Sequence, residues 1–357
     1  MMIQTFSSTI RRKEMDAVLT CMVDEKLGPG ELNAKLIQTV KEFVGCDGAV
    51  AFRSPAIAFS YVLRALDIPA EASVMISALA PAWHYTAVKN FGYTPLVLDV
   101  DEASGLVTPE IVQEGIKNGG RLLLIHETMG ILPNLEEIIA TGIPVIEDIS
   151  HSVGSAYALA RSDENQSAKN EELQKKAGMF GLYSILGMEA NDTITAGGGA
   201  VLMAPKRREW IVLKKFTDAA PETDILPDMN SALGFIQMKE FERNEKARKA
   251  IFEIFQKSLM GGKNKTFART SDGSSTIWSF PVVLNGSFKD VKQYASRKEI
   301  EIRPAYEKSV ISVLEEEEQS KYIHAKSLYL RCVLFPLYPR LGSESATKIA
   351  KVLGTLP

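Results

Sequence analysis

The chain has 357 residues, 45% of them hydrophobic and 24% charged, with a formal net charge of −3; this is the profile of a globular protein long enough for two domains. That charge, without any dense Lys/Arg stripe, excludes an electrostatic case for nucleic acid, and no window approaches the roughly 18 apolar residues of a membrane span. Three widely spaced cysteines, Cys21, Cys46 and Cys332, fit a reducing compartment better than a disulfide framework. The first residues lack the apolar core of a signal peptide, so the expected location is the cytoplasm. His84, His126, His151 and His324 show no spacing typical of a zinc site.

Residues 1–47 read as an arm followed by a helix, with Leu32, Leu36, Ile37, Val40 and Val44 on one face. The preceding Gly28-Pro29-Gly30 reads as a connector. From Gly48 onward, strands and helices alternate. Apolar runs predict strands at 49–52, 74–78, 95–100, 122–126 and 143–149. Helices are predicted from Ser54-Pro55 (Ser as N-cap, Pro in the first turn) to about residue 66, and over 83–91, 109–117 and 135–140. Short Val/Ile/Leu runs between helices suit a largely parallel sheet covered on both faces. Runs at 179–186 and 200–204 flank a polar turn, 187–195, and the cluster Gly197-Gly198-Gly199. They predict a hairpin whose second strand returns antiparallel, for about seven strands in all.

The stretch 157–176 is polar and reads as an exposed loop or frayed helix. Residues 230–257 read as one long helix, apolar at its ends and charged over 240–249, suited to bridging two domains. Beyond it come a strand at 276–284, a helix at 288–297, strands at 300–303 and 330–335, and a last helix at 344–353. The expected division is an arm and large α/β domain over residues 1–245 and a small α+β domain over 246–357.

Seven short motifs follow one another along the chain: GYTPLVLDVD at 92–101, HETMGILPNLEEI at 126–138, IPVIEDISHSVGSAY at 143–157, TITAGGGAVL at 193–202, MNSALGFIQMKEF at 229–241, IEIRPAYEKSV at 300–310 and FPLYPRL at 335–341. In this order they resemble the DegT/StrS-type sugar-nucleotide aminotransferases, which are fold-type-I pyridoxal-phosphate enzymes. The resemblance implies an aspartate aminotransferase-like large domain with a mainly parallel seven-stranded sheet and a smaller α+β C-terminal domain. It also implies pyridoxal or pyridoxamine phosphate as cofactor, a homodimer with its active site at the interface, and a nucleotide-linked keto sugar as ligand.

Carried over residue by residue, the resemblance puts Asp148 at the cofactor's ring nitrogen; read alone, Asp148 is a polar residue capping the next turn. His151 replaces the usual Gln near the ring's phenolic oxygen. Ser54, with Ala56 where a Thr is usual, opens the phosphate loop, although Ser54-Pro55 also reads as a capped helix start. Ser184 matches a phosphate-contacting serine. Pro81 stands at the ring-stacking position, leaving Trp83 as the substitute aromatic or else as core. The Schiff-base lysine has no counterpart, because no lysine occurs from Ala177 to Pro205. Counting forward from Ser184 puts Glu189 in its place and counting back from Thr193 puts Asp192 there; neither can form an aldimine. Three functions remain open. One is a transaminase with a lysine from elsewhere. Another is a lysine-independent pyridoxamine-phosphate enzyme in which Glu189 or Asp192 moves the proton. The third is a non-catalytic binding or regulatory partner in polysaccharide biosynthesis.

Overall fold

The computed structural model describes residues 2–158, 174–269 and 275–357. Five parallel strands form in the predicted order: β1 (Gly48–Phe52), β2 (Ser73–Ser77), β3 (Thr94–Leu98), β4 (Gly120–His126) and β5 (Val145–Asp148). A short ribbon of β6 (Ala156–Ala158) and β7 (Gln174–Lys176) follows, then β8 (Tyr183–Gly187) and β9 (Ala200–Ala204). The main sheet has seven strands in the order β1-β9-β8-β5-β4-β2-β3, and β9 alone runs antiparallel to both its neighbours. The hairpin and its reversed strand are therefore as predicted. The expectation for the polar stretch falls mostly on 159–173, outside the described residues.

Local chemistry explains the helix starts. Ser54 accepts a hydrogen bond from Ile57 N at 3.2 Å with Pro55 in the first turn, and Thr108 does the same for Ile111 ahead of Pro109. The helix Glu31–Val44 is capped from a distance: buried Asp228 accepts the N–H groups of Gly30, Leu32 and Asn33 at 2.8–3.2 Å. The Gly28-Pro29-Gly30 connector thus also holds a long-range contact.

Apolar side chains cover the main sheet on both faces. One layer gathers Val74, Ile76, Leu122 and Leu124; the other gathers Leu36, Val40, Leu186 and Val201. A second, three-stranded antiparallel sheet, β10 (Phe280–Val283), β12 (Cys332–Phe335) and β11 (Arg303–Pro304), has its own core of Phe255, Phe280, Val291 and Ile349. All three cysteines are free and buried. Among the described residues, no helix is long and apolar enough to cross a membrane.

The structure corrects several elements. Residues 230–257 are two helices, Asp228–Lys239 and Phe241–Leu259, broken at Glu240, where φ is −92° and ψ is 5°. No glycine or proline marks the break, so periodicity carries across it. The charged middle is only partly exposed: Asn244, Glu245 and Arg248 are buried, while Glu242, Arg243 and Lys246 face solvent. Glu245 accepts Ile277 N at 2.8 Å, and Arg248 pairs with Glu245 at 3.3 Å and donates to Thr193 O at 3.0 Å. Tertiary partners here outweigh the usual preference of charged residues for water. Three expected strands shrink to Phe280–Val283, Arg303–Pro304 and Cys332–Phe335, and helices over Arg12–Val23, Arg207–Thr217 and Ile323–Arg331 were not foreseen.

Candidate functional site

The carboxyl ends of parallel strands are where an α/β sheet opens to ligands. In β4 and β5 the register puts His126 beside Asp148 at that edge. Asp148 Oδ2 accepts from His84 Nε2 at 2.8 Å and from His126 Nδ1 at 2.9 Å. Its other oxygen accepts from Ser150 N at 3.1 Å and from the Ser150 hydroxyl. A carboxylate offers about four lone-pair sites, and these four donors fill them. Burial pushes the Asp148 carboxyl upward, but the charge and hydrogen bond of His126, followed by those of His84, outweigh it and hold the group well below the ordinary carboxylate range.

The network continues outward. His126 Nε2 lies 3.2 Å from His151 Nδ1, which also accepts Met129 N–H at 3.3 Å. Since Nδ1 of His151 accepts the Met129 N–H, the ring proton of His151 sits on Nε2. That atom faces Asp192 Oδ1 at 3.8 Å. Burial, then the His126 charge, pushes His151 well below its usual pKa. Burial, with the nearby charges of Asp148 and Glu189 adding to it, pushes Asp192 up to about 8 despite its hydrogen bond from Glu189 N. Two of the four histidines therefore converge on Asp148 and a third joins them through His126, although they are far apart in sequence. His84, His126 and Asp148 could each offer one atom to a metal; their spacing in this structure is that of direct hydrogen bonds.

Two local structures hold the cluster. After β4, the turn Thr128–Gly130 has Met129 at φ +57° and Gly130 at φ +75°, which aims Met129 N–H at His151. Arg269 donates to the carbonyls of Met129 and Gly130 and fixes it. After β8, Gly197, Gly198 and Gly199 have φ of 71°, 135° and 109°, left-handed values that only glycine adopts cheaply. Their turn folds back so that Ala196 N and Gly198 N donate to Met188 O, leaving Glu189–Asp192 at the mouth.

A cavity of about 460 Å³ opens beside the cluster. Its wall includes Pro55, Trp83, His126, His151, Glu189, Asp192 and Trp278. Trp278 stacks on His151, with centroids 3.7 Å apart and planes at 12°, and its Nε1 donates to Asn191 O at 2.7 Å. Of the residues singled out from sequence, Trp83, His151, Glu189 and Asp192 meet on this wall. Asp148 lies buried behind His126 and His151. Ser54 caps its own helix with Ala56 just inside it, and buried Ser184 donates to Gly178 O at 2.9 Å. Sequence reasoning missed His84, His126, Trp278 and Lys308, the last an exposed lysine on the cavity rim. His126 and Lys308 lay within motifs that carried the resemblance; nothing local marked His84 or Trp278.

A mainly parallel sheet with a reversed strand and a carboxylate-ended central strand defines the class, the aminotransferase-type α/β fold. Within it, the chain belongs to the DegT/DnrJ/EryC1/StrS aminotransferase family, whose model matches residues 8–354. Spr1654 from Streptococcus pneumoniae, solved in PMP and PLP forms, superposes with a TM-score of 0.85 at 14% identity, covering 97% of this chain and 95–96% of that one. An aminotransferase from Psychrobacter cryohalolentis gives 0.82 at 18% identity, covering 97% of each chain. GDP-4-keto-6-deoxymannose-3-dehydratase with bound GDP-perosamine gives 0.83 at 16%, covering 98% of this chain and all of that one. At these identities the likenesses show the fold.

The family is PLP-dependent, and relatives are solved with the cofactor in both forms. The residues that the resemblance assigns to the cofactor are partly engaged with one another in this structure. Asp148 is retained, but its oxygens are filled from within by His84, His126 and Ser150. At the helix start facing the cavity, Pro55 has no N–H, Ala56 has no hydroxyl, and the Ile57 N–H is taken by Ser54. The turn offers Glu189 and Asp192 instead of an amine. Acid, imidazole and indole groups around a sugar-sized cavity can bind a polar ligand and exchange a proton with it.

Proposed function

We propose that this chain is a non-transaminating member of its family, which binds a nucleotide-linked sugar in the cavity between Trp83, Trp278 and Asp192 without an internal aldimine. The observation carrying this reading is the acidic turn after β8, which holds Glu189 and Asp192 and no lysine in the stretch where the resemblance expects one. The filled oxygens of Asp148 support it, since they leave no acceptor for a pyridinium N–H. Relatives solved with GDP-perosamine and with a TDP-sugar product motivate the ligand class. A role as a binding or regulatory partner in polysaccharide biosynthesis agrees with this reading. A second reading, acid–base chemistry on the bound sugar, is favoured by Asp192, whose pKa near 8 lies close to neutral pH, beside His151.

We further propose a homodimer. The helix Arg12–Val23 leaves Met15, Leu19 and Met22 each 56% exposed and Val23 72% exposed along one face, an apolar stripe that a second copy would cover.

The test is to mix the purified chain with pyridoxal phosphate, record the spectrum, reduce with borohydride and map any modified lysine by mass spectrometry. No reducible chromophore and no site-specific adduct are expected. A stoichiometric adduct on Lys308, the lysine lining the cavity, would overturn the reading and restore a transaminase.

A further inference from the structure

The first residues of the chain cross from the small sheet to the turn after β8. Ile3 N donates to Glu299 O at 2.8 Å, and Ile3 O accepts Glu301 N at 2.9 Å. Buried Thr5 adds two bonds to Glu301, from its N–H at 2.8 Å and from its hydroxyl at 3.1 Å. On the far side, Arg340 donates to Ile10 O at 3.1 Å. Buried Glu14 accepts from Arg11 N at 3.1 Å and from Gln237 at 3.0 Å, which fixes the start of the helix Arg12–Val23. Both ends of the crossing are therefore fastened. Residues 6–9, between them, are held differently. Among the described residues their one hydrogen bond to the turn runs from the Ser8 hydroxyl to Ala190 O, at 2.9 Å and open to solvent. Phe6 is half-buried, borders the cavity, and meets the Trp278 indole with ring centroids 5.8 Å apart. Thr9 has a φ of +53°, a left-handed value that a β-branched residue adopts only under strain. Its N–H and its hydroxyl both bond to Ser7 at 3.3 Å, which braces that conformation.

Resting on the reading that the cavity holds a ligand, we propose that residues 6–9 are a flap over the Trp278 side of that cavity, closed in this structure and opened by loss of the Ser8–Ala190 bond. A hydrogen bond exposed to water contributes little net, because both groups exchange it for bonds to solvent. Phe6 gives up only partial burial when it leaves Trp278. Against these losses, opening lets Thr9 return to a negative φ and releases its strain. Closed and open forms therefore lie close in free energy, which is the condition for populating a minor form. Because its two ends are fastened, the motion is confined to the flap and leaves the small sheet and the helix Arg12–Val23 in place. Opening uncovers Trp278 beside a niche of about 30 Å³ that shares Phe6, Asp192 and Trp278 with the cavity wall. Closing puts an aromatic ring across that side of the bound ligand.

Trp278 is the tryptophan that Phe6 meets, so acrylamide quenching of tryptophan fluorescence in the full chain, with no ligand added, reports the flap. Ser8→Ala removes the tie to the turn and no part of the cover. It is expected to raise the quenching constant of Trp278 at least twofold. In a Trp278→Phe background the same substitution is expected to change nothing. Adding Thr9→Gly to Ser8→Ala removes the strain of the closed form and is expected to bring quenching back toward the wild-type value. Unchanged quenching in Ser8→Ala, a rise that survives Trp278→Phe, or a further rise on adding Thr9→Gly would each overturn the proposal. An aldimine with pyridoxal phosphate overturns the reading of the cavity instead; the flap is scored without any ligand, so the two fail separately.

Discussion

Asp192 carries a carboxyl pushed up to about 8 from an ordinary value of 3.8, by burial first and then by the charges of Asp148 and Glu189, with the His151 ring facing it. Its folded pKa lies above its unfolded one. The protonated form therefore stabilises the fold fully below about pH 4, and that contribution is lost as pH rises toward 8. Asp192→Asn keeps an oxygen to accept Glu189 N–H but cannot ionise. The variant should match the wild type in urea unfolding at pH 4 and become progressively more stable than it from there to pH 8. A difference that stays flat across that range would show that Asp192 does not titrate with folding. At this scale the site was only partly legible. Glu189, Asp192, His151 and Trp83 were found by residue type and motif, whereas His84 was not, because nothing near residue 84 shows that its ring reaches a strand end 64 positions away.

The turn Thr128–Gly130 shows how an element, more than a single side chain, sets the site. A Cβ on Gly130 would lie 2.2 Å from Thr276 O and 3.0 Å from His151 O, at a φ of +75°. Gly130→Ala should cost at least about 2 kcal/mol, from steric overlap added to left-handed strain. Urea unfolding at pH 7 checks this; a loss under about 0.5 kcal/mol, the range of ordinary surface changes, would mean the turn yields freely. The strands of the main sheet were readable because buried parallel strands are short apolar runs, and the paired Ser54-Pro55 and Thr108-Pro109 starts are local chemistry. The break at Glu240 was not readable. Both flanking segments are helical in pattern, and the partners of the buried Glu245 and Arg248, Ile277 and Thr193, lie far away in sequence.

For the whole molecule, the stripe of Met15, Leu19, Met22 and Val23 carries the proposed self-association. Light scattering after gel filtration should give twice 39.2 kDa, and Leu19→Glu should weaken the dimer at least tenfold, which corresponds to about 1.4 kcal/mol. A monomer at all concentrations tested would remove the proposal. By itself, the sequence determined the alternation of strands and helices, the reversed hairpin strand and the family, since all of these rest on periodicity and on motif order along the chain. It also determined that the turn after β8 carries carboxylates and no lysine. Only the tertiary structure decided what surrounds that turn: His84 and His126 on Asp148 with His151 joined through His126, Trp278 stacked on His151, and a cavity edged by Asp192 and Glu189. The reason is physical. Periodicity and turn chemistry act between neighbours in the chain, whereas the charge and hydrogen bonding of a buried group depend on side chains that folding alone brings within 3 or 4 Å of it.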